Sequence, residues 1–295
     1  MTGANDARDV TAVLPTYNRA PALEQSLPRL LAMDGIQRLV VVDDGSTDGT
    51  AAVLARHDDP RLHVLRHEVN RGLPAARNTG ARNAETTWVV YLEDDCGFPD
   101  DYVDQLLDEA LASGASVVSA PWLGVYAHDV ERVWAERRRG ATRIFSLGTH
   151  VSTVPDGPVE TPFMCALALV RKDVFATVQY DEGLRGNAWR EETDFYVSAV
   201  RAGFTCVLTP RTASWQLGTW SGGARRGILR YELYTWRNNW RFLTRHEEWL
   251  VAHGHISSAR REQLRFGWSR RRAVMGQLRG RVAAVVRTRS QSRSG

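Results

Sequence analysis

Trp88-Val89-Val90-Tyr91-Leu92-Glu93-Asp94-Asp95-Cys96 is an apolar run that ends in three adjacent carboxylates. A buried strand with this ending delivers its acids to the carboxyl edge of a sheet, where open α/β folds bind ligands. Carboxylates side by side repel unless a cation sits between them, and hard oxygen donors suit Mg²⁺ or Mn²⁺. Such a site is suited to holding phosphates. Acidic loops are common and most are merely solvated, so the weight comes from the surroundings.

Upstream, the same rhythm occurs three more times. Val10 to Leu14 is an apolar run closed by Pro15, and Pro21 opens an amphipathic segment to Met33. Leu39 to Val42 ends at Asp43-Asp44-Gly45-Ser46, after which Thr47 or Asp48 can cap a helix reaching about Arg56. Leu62 to Leu65 is a third strand, and Gly72 to Ala84 a helix with Leu73, Ala76 and Gly80 on one face. Downstream, Pro99 starts a helix reaching Ala112, and Ala115 to Ala120 is a fifth strand. Strands separated by helices imply right-handed crossovers and a mixed, mainly parallel sheet. The P-loop and the Gly-x-Gly-x-x-Gly fingerprint are both absent, so this Rossmann-like start lacks the usual dinucleotide or ATP chemistry.

From Trp122 to Pro162 the pattern dissolves into a charged helix-like piece, Val130 to Arg139, and a loop. Phe163 to Val170 reads as a strand, Glu191 to Ala202 as a helix and Thr205 to Leu208 as a strand, with a break at Pro210. Beyond Gly222-Gly223 the chain turns helical and aromatic, over Ile228 to Phe242 and Ser257 to about Arg287. The expected division is 1–215, with a donor-binding half 1–121 and an acceptor half 122–215, followed by a helical region 216–295 with an Arg-rich tail.

Length and composition bound the function. The chain has 295 residues, 43% hydrophobic and 24% charged, ordinary for a globular protein. No stretch is long and apolar enough to span a bilayer, and Met1 to Asp9 is unlike a secretory signal. Cys96, Cys165 and Cys206 are widely spaced, as expected of buried thiols in a reducing cytoplasm. Of the basic residues, only Lys172 is a lysine, and the net charge is +4. Arginines concentrate late, at Arg260-Arg261, Arg270-Arg271-Arg272, Arg279, Arg281, Arg287, Arg289 and Arg293. They read as a solvated helix with a frayed end, or as a peripheral contact with anionic lipid at the inner membrane face. A nucleic-acid binder would explain this tail and nothing else. The aromatic helices could pair with a second copy.

Four loops at strand ends can converge. Pro15-Thr16-Tyr17-Asn18-Arg19 offers a flat ring for a base and backbone amides beside it. Asp43-Asp44-Gly45-Ser46 offers acceptors for the N–H of a nucleobase. Asn70-Arg71-Gly72 through Ala76-Arg77-Asn78 opens a helix whose amino end, with Arg77, favours anions. Glu93-Asp94-Asp95 can hold a metal and a ribose.

Together with Val170-Arg171-Lys172-Asp173-Val174-Phe175, Tyr180-Asp181-Glu182 and Arg190-Glu191-Glu192-Thr193-Asp194-Phe195, these motifs resemble family 2 inverting glycosyltransferases of the GT-A fold, over roughly residues 9 to 215. The resemblance implies that Tyr17 stacks on the nucleobase, Asp43 or Asp44 binds its edge, and Arg77 lies near base and diphosphate. Pro15, Thr16, Arg19 and Gly72 complete the nucleotide-sugar site. Glu93-Asp94-Asp95 stands for the family's Asp-x-Asp motif, with Glu93 replacing its first aspartate: Asp95 ligates Mn²⁺ or Mg²⁺, Asp94 reaches the ribose or a metal-bound water, and whether Glu93 joins the metal is left open. Glu192 aligns with the general base, and Glu191 is the close alternative. Where many relatives carry a metal-binding histidine, this chain has Gln216. The Gln-x-x-Arg-Trp motif of processive synthases is missing, which implies transfer of one sugar, or few.

The donor implied is a nucleoside-diphosphate sugar, UDP by default with GDP or dTDP open. The acceptor is a hydroxyl on a natural product, as in antibiotic biosynthesis, or on a cell-envelope glycan or glycolipid. A nucleotidyltransferase would want a Gly-rich basic loop after the first strand, which Pro15 to Arg19 is not. A non-catalytic nucleotide-sugar-binding protein derived from a transferase is the alternative that Glu93 and Gln216 keep open.

Overall fold

The computed structural model describes residues 8–126, 129–131, 133, 156–217 and 227–271. The helix-like piece Val130 to Arg139 falls mostly outside them, as do Gly222-Gly223 and the tail beyond 271. The first third alternates as expected: β1 (Val10–Thr16), α1 (Ala20–Ala32), β2 (Arg38–Asp43), α2 (Thr50–Leu54), β3 (Leu62–Arg66), α3 (Leu73–Asn83) and β4 (Trp88–Tyr91). Then come β5 (Cys96–Gly97), α4 (Tyr102–Ser113), β6 (Val117–Ser119), β7 (Trp122–Tyr126), β8 (Val159–Glu160) and β9 (Ala168–Arg171). A 3-10 turn at Lys172–Ala176 leads on to α5 (Glu191–Arg201), β10 (Cys206–Leu208), β11 (Ser214–Gln216) and α6 (Ile228–Ala252).

Eight strands form one sheet in the order β3-β2-β1-β4-β9-β6-β10-β8. β9 runs antiparallel to β4 and β6, and β8 antiparallel to β10; the other six share one direction. The sheet is therefore mixed and mainly parallel. Strand alternation divides the apolar side chains between two cores. Val10, Ala12, Leu14, Leu39 and Val41 face Leu23, Leu27 and Leu30 of α1 and Leu106 of α4. Val13, Val40, Val42, Val89 and Tyr91 face Ala76 of α3 and Phe195 and Tyr196 of α5. Burial on both faces explains why these strands read as unbroken apolar runs.

A second sheet, β5-β11-β7, was not expected from the sequence. It pairs Gln216 with Cys96, so the chain beyond Ser214 returns to the end of the β4 loop. The strand expected over Phe163 to Val170 begins only at Ala168, because Thr161 Oγ1 accepts the Phe163 N–H in a preceding turn. α6 runs ten residues past the expected stop at Phe242, since neither glycine nor proline interrupts it before Gly254.

Contact patterns divide the chain into two compact units, Met1–Tyr234 and Thr235–Gly295. The first contains both sheets. In the second, the rest of α6 packs on a helical stretch, 259–271. Asn239 Nδ2 donates to Gln263 Oε1 (2.7 Å), and Gln263 Nε2 donates to the Trp236 carbonyl (3.0 Å). Among the described residues, no helix is long and apolar enough to cross a membrane.

Candidate active site

The carboxyl ends of β1, β2 and β4 and the loop entering α3 open onto one cleft of about 520 Å³, within the first unit. Pro15, Thr16, Tyr17 and Arg19 line it, with Asp44, Gly72 and the acids Glu93, Asp94 and Asp95. The first two loops are knitted together: Asn18 N donates to Ser46 Oγ (2.9 Å), and Thr47 N to Asn18 Oδ1 (2.8 Å). Asn18 sits at φ 52°, a left-handed conformation that asparagine tolerates better than most residues.

Two guanidinium groups organise the acids. Arg19 forks onto Asp94 Oδ1 (2.6 Å) and reaches Asp95 Oδ2 (2.9 Å), while Thr16 Oγ1 donates to Asp94 Oδ2 (3.4 Å). Arg77 bridges Glu93 Oε1 and Glu191 Oε1, both at 3.1 Å. Its guanidinium also lies over the rings of Tyr91 (4.9 Å) and Tyr180 (5.6 Å). Burial pushes Glu93 up to about 7 and Glu191 up to about 8; Arg77 opposes both shifts, and neighbouring carboxylates reinforce them. One buried guanidinium cannot neutralise two carboxylates.

Not all of the expected residues line the cleft. Arg77 is fully buried, is not among the residues that line the cleft, and pairs with Glu93 and Glu191. Asp43 is 1% exposed and does not line the cleft; Ser46 N (2.8 Å) and Arg66 Nη1 (2.6 Å) occupy its carboxylate. Asp44 lines the cleft, but its carboxylate accepts from Arg71 N, Gly72 N and Asn70 Nδ2 at 2.7–2.8 Å and pairs with His67. It therefore ties down the amides that precede α3, whose N–H groups would otherwise lack partners. Asp94 is equally committed, to Arg19.

The acid pair opens α5. Glu191 is buried against Arg77, and its Oε2 accepts no hydrogen bond among the described residues. Glu192 is half-buried, close enough for its charge to act on Glu93 and Glu191. Neither is among the cleft-lining residues.

The acids fit a divalent cation. Glu93, Asp95 and Cys96 each offer one ligand atom, all within 4.8 Å of one another. With Arg77 on Glu93 Oε1 and Arg19 on Asp95 Oδ2, the remaining oxygens, Oε2 and Oδ1, both lie 3.8 Å from Cys96 Sγ. Burial, then Glu93 and Asp95, hold the Cys96 thiol well above its usual range, so the oxygens are the donors suited to Mg²⁺ or Mn²⁺. Gln216 Nε2 (3.1 Å) and Leu217 N (2.8 Å) both donate to the Asp95 carbonyl, so Gln216 fixes the Asp95 backbone.

The same cleft is also lined by residues that the sequence did not single out: Gly186, Asn187 and Ala188, then Arg230, Tyr231 and Tyr234 of α6. Asn187 Nδ2 donates to the Tyr231 carbonyl (3.2 Å). Gly186 is left-handed (φ 72°), and a Cβ there would lie 2.3 Å from the Tyr234 ring. Ala188 (φ 51°) and Arg190 (φ 77°) are left-handed too, backbone strain of the kind that gathers at functional sites. A Gly-Asn turn just ahead of an acid pair was the available signal.

The profile of Glycosyl transferase family 2 matches residues 11–178, more than half of the sequence, and the chain belongs to that family. The succinoglycan biosynthesis protein ExoO of Rhizobium meliloti (strain 1021) is 36% identical over 110 residues, which cover 37% of this chain and 32% of ExoO. Thus the match spans about a third of that relative's length. S. aureus TarS 1-349, solved in complex with UDP-GlcNAc, superimposes with a TM-score of 0.56 at 16% identity, covering 83% of this chain and 74% of that one. The mannosyltransferase PcManGT of Pyrobaculum calidifontis, solved with GDP-Man and Mn2+, gives 0.56 at 21% identity, covering 80% and 63%. The fold is the GT-A arrangement of these transferases.

Proposed function

We propose that this chain transfers one sugar, with inversion, from a nucleoside-diphosphate sugar to a hydroxyl acceptor, assisted by Mn²⁺ or Mg²⁺. The observation that carries this reading is a single cleft lined by Tyr17, Arg19 and Asp95 together with Gly186–Ala188 of the loop entering α5. The nucleotide sugars bound by TarS and PcManGT support the donor class, and the Mn2+ of PcManGT supports a divalent ion. UDP is the first nucleotide to test, ahead of GDP and dTDP. Succinoglycan biosynthesis in a relative's name favours a glycan or glycolipid acceptor over a natural product, at the cytoplasmic face of the envelope.

Inverting transfer is one in-line displacement at the anomeric carbon. The acceptor hydroxyl loses its proton to a base as it attacks, and the leaving diphosphate needs positive charge beside it. Glu93 and Asp95 would hold the cation, which supplies that charge when bound. Arg19 and Arg230 are arginines of the cleft lining, and Arg19, paired with Asp94 and Asp95, would add its charge to that of the cation beside the diphosphate. Tyr17 offers its ring to the base. Glu192, half-buried at the start of α5, takes the acceptor proton; Glu191 is less suited, because it is buried against Arg77. The acceptor enters along Gly186–Ala188, Tyr231 and Tyr234.

Glu192→Gln should leave UDP affinity in Mn²⁺ nearly unchanged while transfer falls at least about a hundredfold. Turnover equal to the parent's would remove Glu192 from the mechanism. Tight nucleotide binding with neither transfer nor slow donor hydrolysis in any acceptor pool would favour the non-catalytic alternative.

A further inference from the structure

The second unit carries an exposed apolar surface whose residues are not among those lining the cleft. Trp236 and Trp240 lie one turn apart on α6, and Leu264 and Trp268 one turn apart on 259–271. They are 41%, 38%, 61% and 63% exposed, unusual for such large apolar side chains. The two pairs adjoin, because a Cβ on Gly267 would lie 2.5 Å from the Trp236 ring. Around them Arg237, Arg260, Arg261 and Arg271 are exposed, with the Arg271 guanidinium 5.9 Å from the Trp268 ring. Residues 235–271 hold eight arginines against three glutamates, with neither lysine nor aspartate. Glu247 Oε1 accepts the Ala259 N–H, and Glu262 pairs with Arg265, so two of the three are engaged.

We propose that this face docks on the headgroup layer of an anionic membrane, with Trp236, Trp240, Leu264 and Trp268 entering the interface and the arginines pairing with lipid phosphates. Tryptophan and leucine beside arginine on helices that, among the described residues, include no membrane span is the pattern of interfacial binding. Charge selects the occupant: a second copy would bring the same arginines against themselves, whereas anionic lipid complements them. The inference does not depend on the cleft or on any residue assigned to it.

The test is co-sedimentation of the full chain with vesicles of phosphatidylcholine alone, or with roughly 30% phosphatidylglycerol. Binding is expected only to the anionic vesicles. Leu264→Ser with Trp268→Ser should lower the partition coefficient at least about fivefold, with circular dichroism and melting unchanged. Arg260→Gln with Arg261→Gln should lower it by a similar factor at about 0.15 M salt and by much less at about 1 M. Should those variants misfold, Trp240→Tyr offers a milder reading of the same surface. No binding by the parent, binding indifferent to Leu264 and Trp268, or a dimer in sedimentation that Trp268→Ser dissociates would each overturn the proposal.

Discussion

Replacing Arg77 with methionine would strand Glu93 and Glu191 without the guanidinium that both depend on. Breaking a buried ion pair from one side costs about 3–5 kcal/mol, a large part of the roughly 5–15 kcal/mol that holds a domain folded. Arg77→Met should therefore lower the melting temperature by about 10 °C, read by calorimetry. Arg77→Lys should recover little of it, because one ammonium cannot fork between two carboxylates while lying over Tyr91 and Tyr180. A donor-site role makes the opposite forecast, weaker nucleotide binding at unchanged stability. From sequence, Arg77 was legible as a residue that matters but not as one that faces inward. Its position beside a helix amino end fits an anion site equally well, and only the strand packing below decides.

At the scale of elements, α3 meets β1 through a glycine. A Cβ on Gly80 would lie 2.2 Å from Val13 Cγ1, inside contact distance with a rigid β-branched side chain. Two effects compete in Gly80→Ala. Helix propensity favours alanine by about 1 kcal/mol, while overpacking a core costs about 1–3 kcal/mol. Contact at 2.2 Å leaves overpacking ahead, so the variant should melt lower despite its better helix former, and one that melts higher would show that α3 can shift. The first third of the fold was legible because each central strand is buried on both faces and bounded by turn residues. β5, β7 and β11 were not, being two, five and three residues long and joined only by long-range pairing. The insertion of β9 between β4 and β6 was likewise hidden, since no local pattern states which neighbour a strand will choose.

Across the whole molecule, the strand-end loops met in one cleft, as the sequence order of apolar run, turn and helix foretold. The rest of the lining was out of reach of that reasoning, because Tyr231 and Tyr234 join Gly186–Ala188 only after the chain has completed both sheets. A ligand held between such distant segments should stabilise the folded unit as a whole. At a hundred times its dissociation constant it contributes about 2.7 kcal/mol, which for a unit of this size raises melting by roughly 5–10 °C. UDP with Mn²⁺ should produce such a rise and EDTA should reverse most of it. Asp95→Ala should abolish the metal-dependent part while retaining whatever UDP gives alone. If that variant instead responds to Mn²⁺ as the parent does, the cation is held elsewhere and the Glu93–Asp95 assignment fails. If neither protein responds to UDP, GDP or dTDP with Mn²⁺, the donor class itself is wrong, whatever the fold.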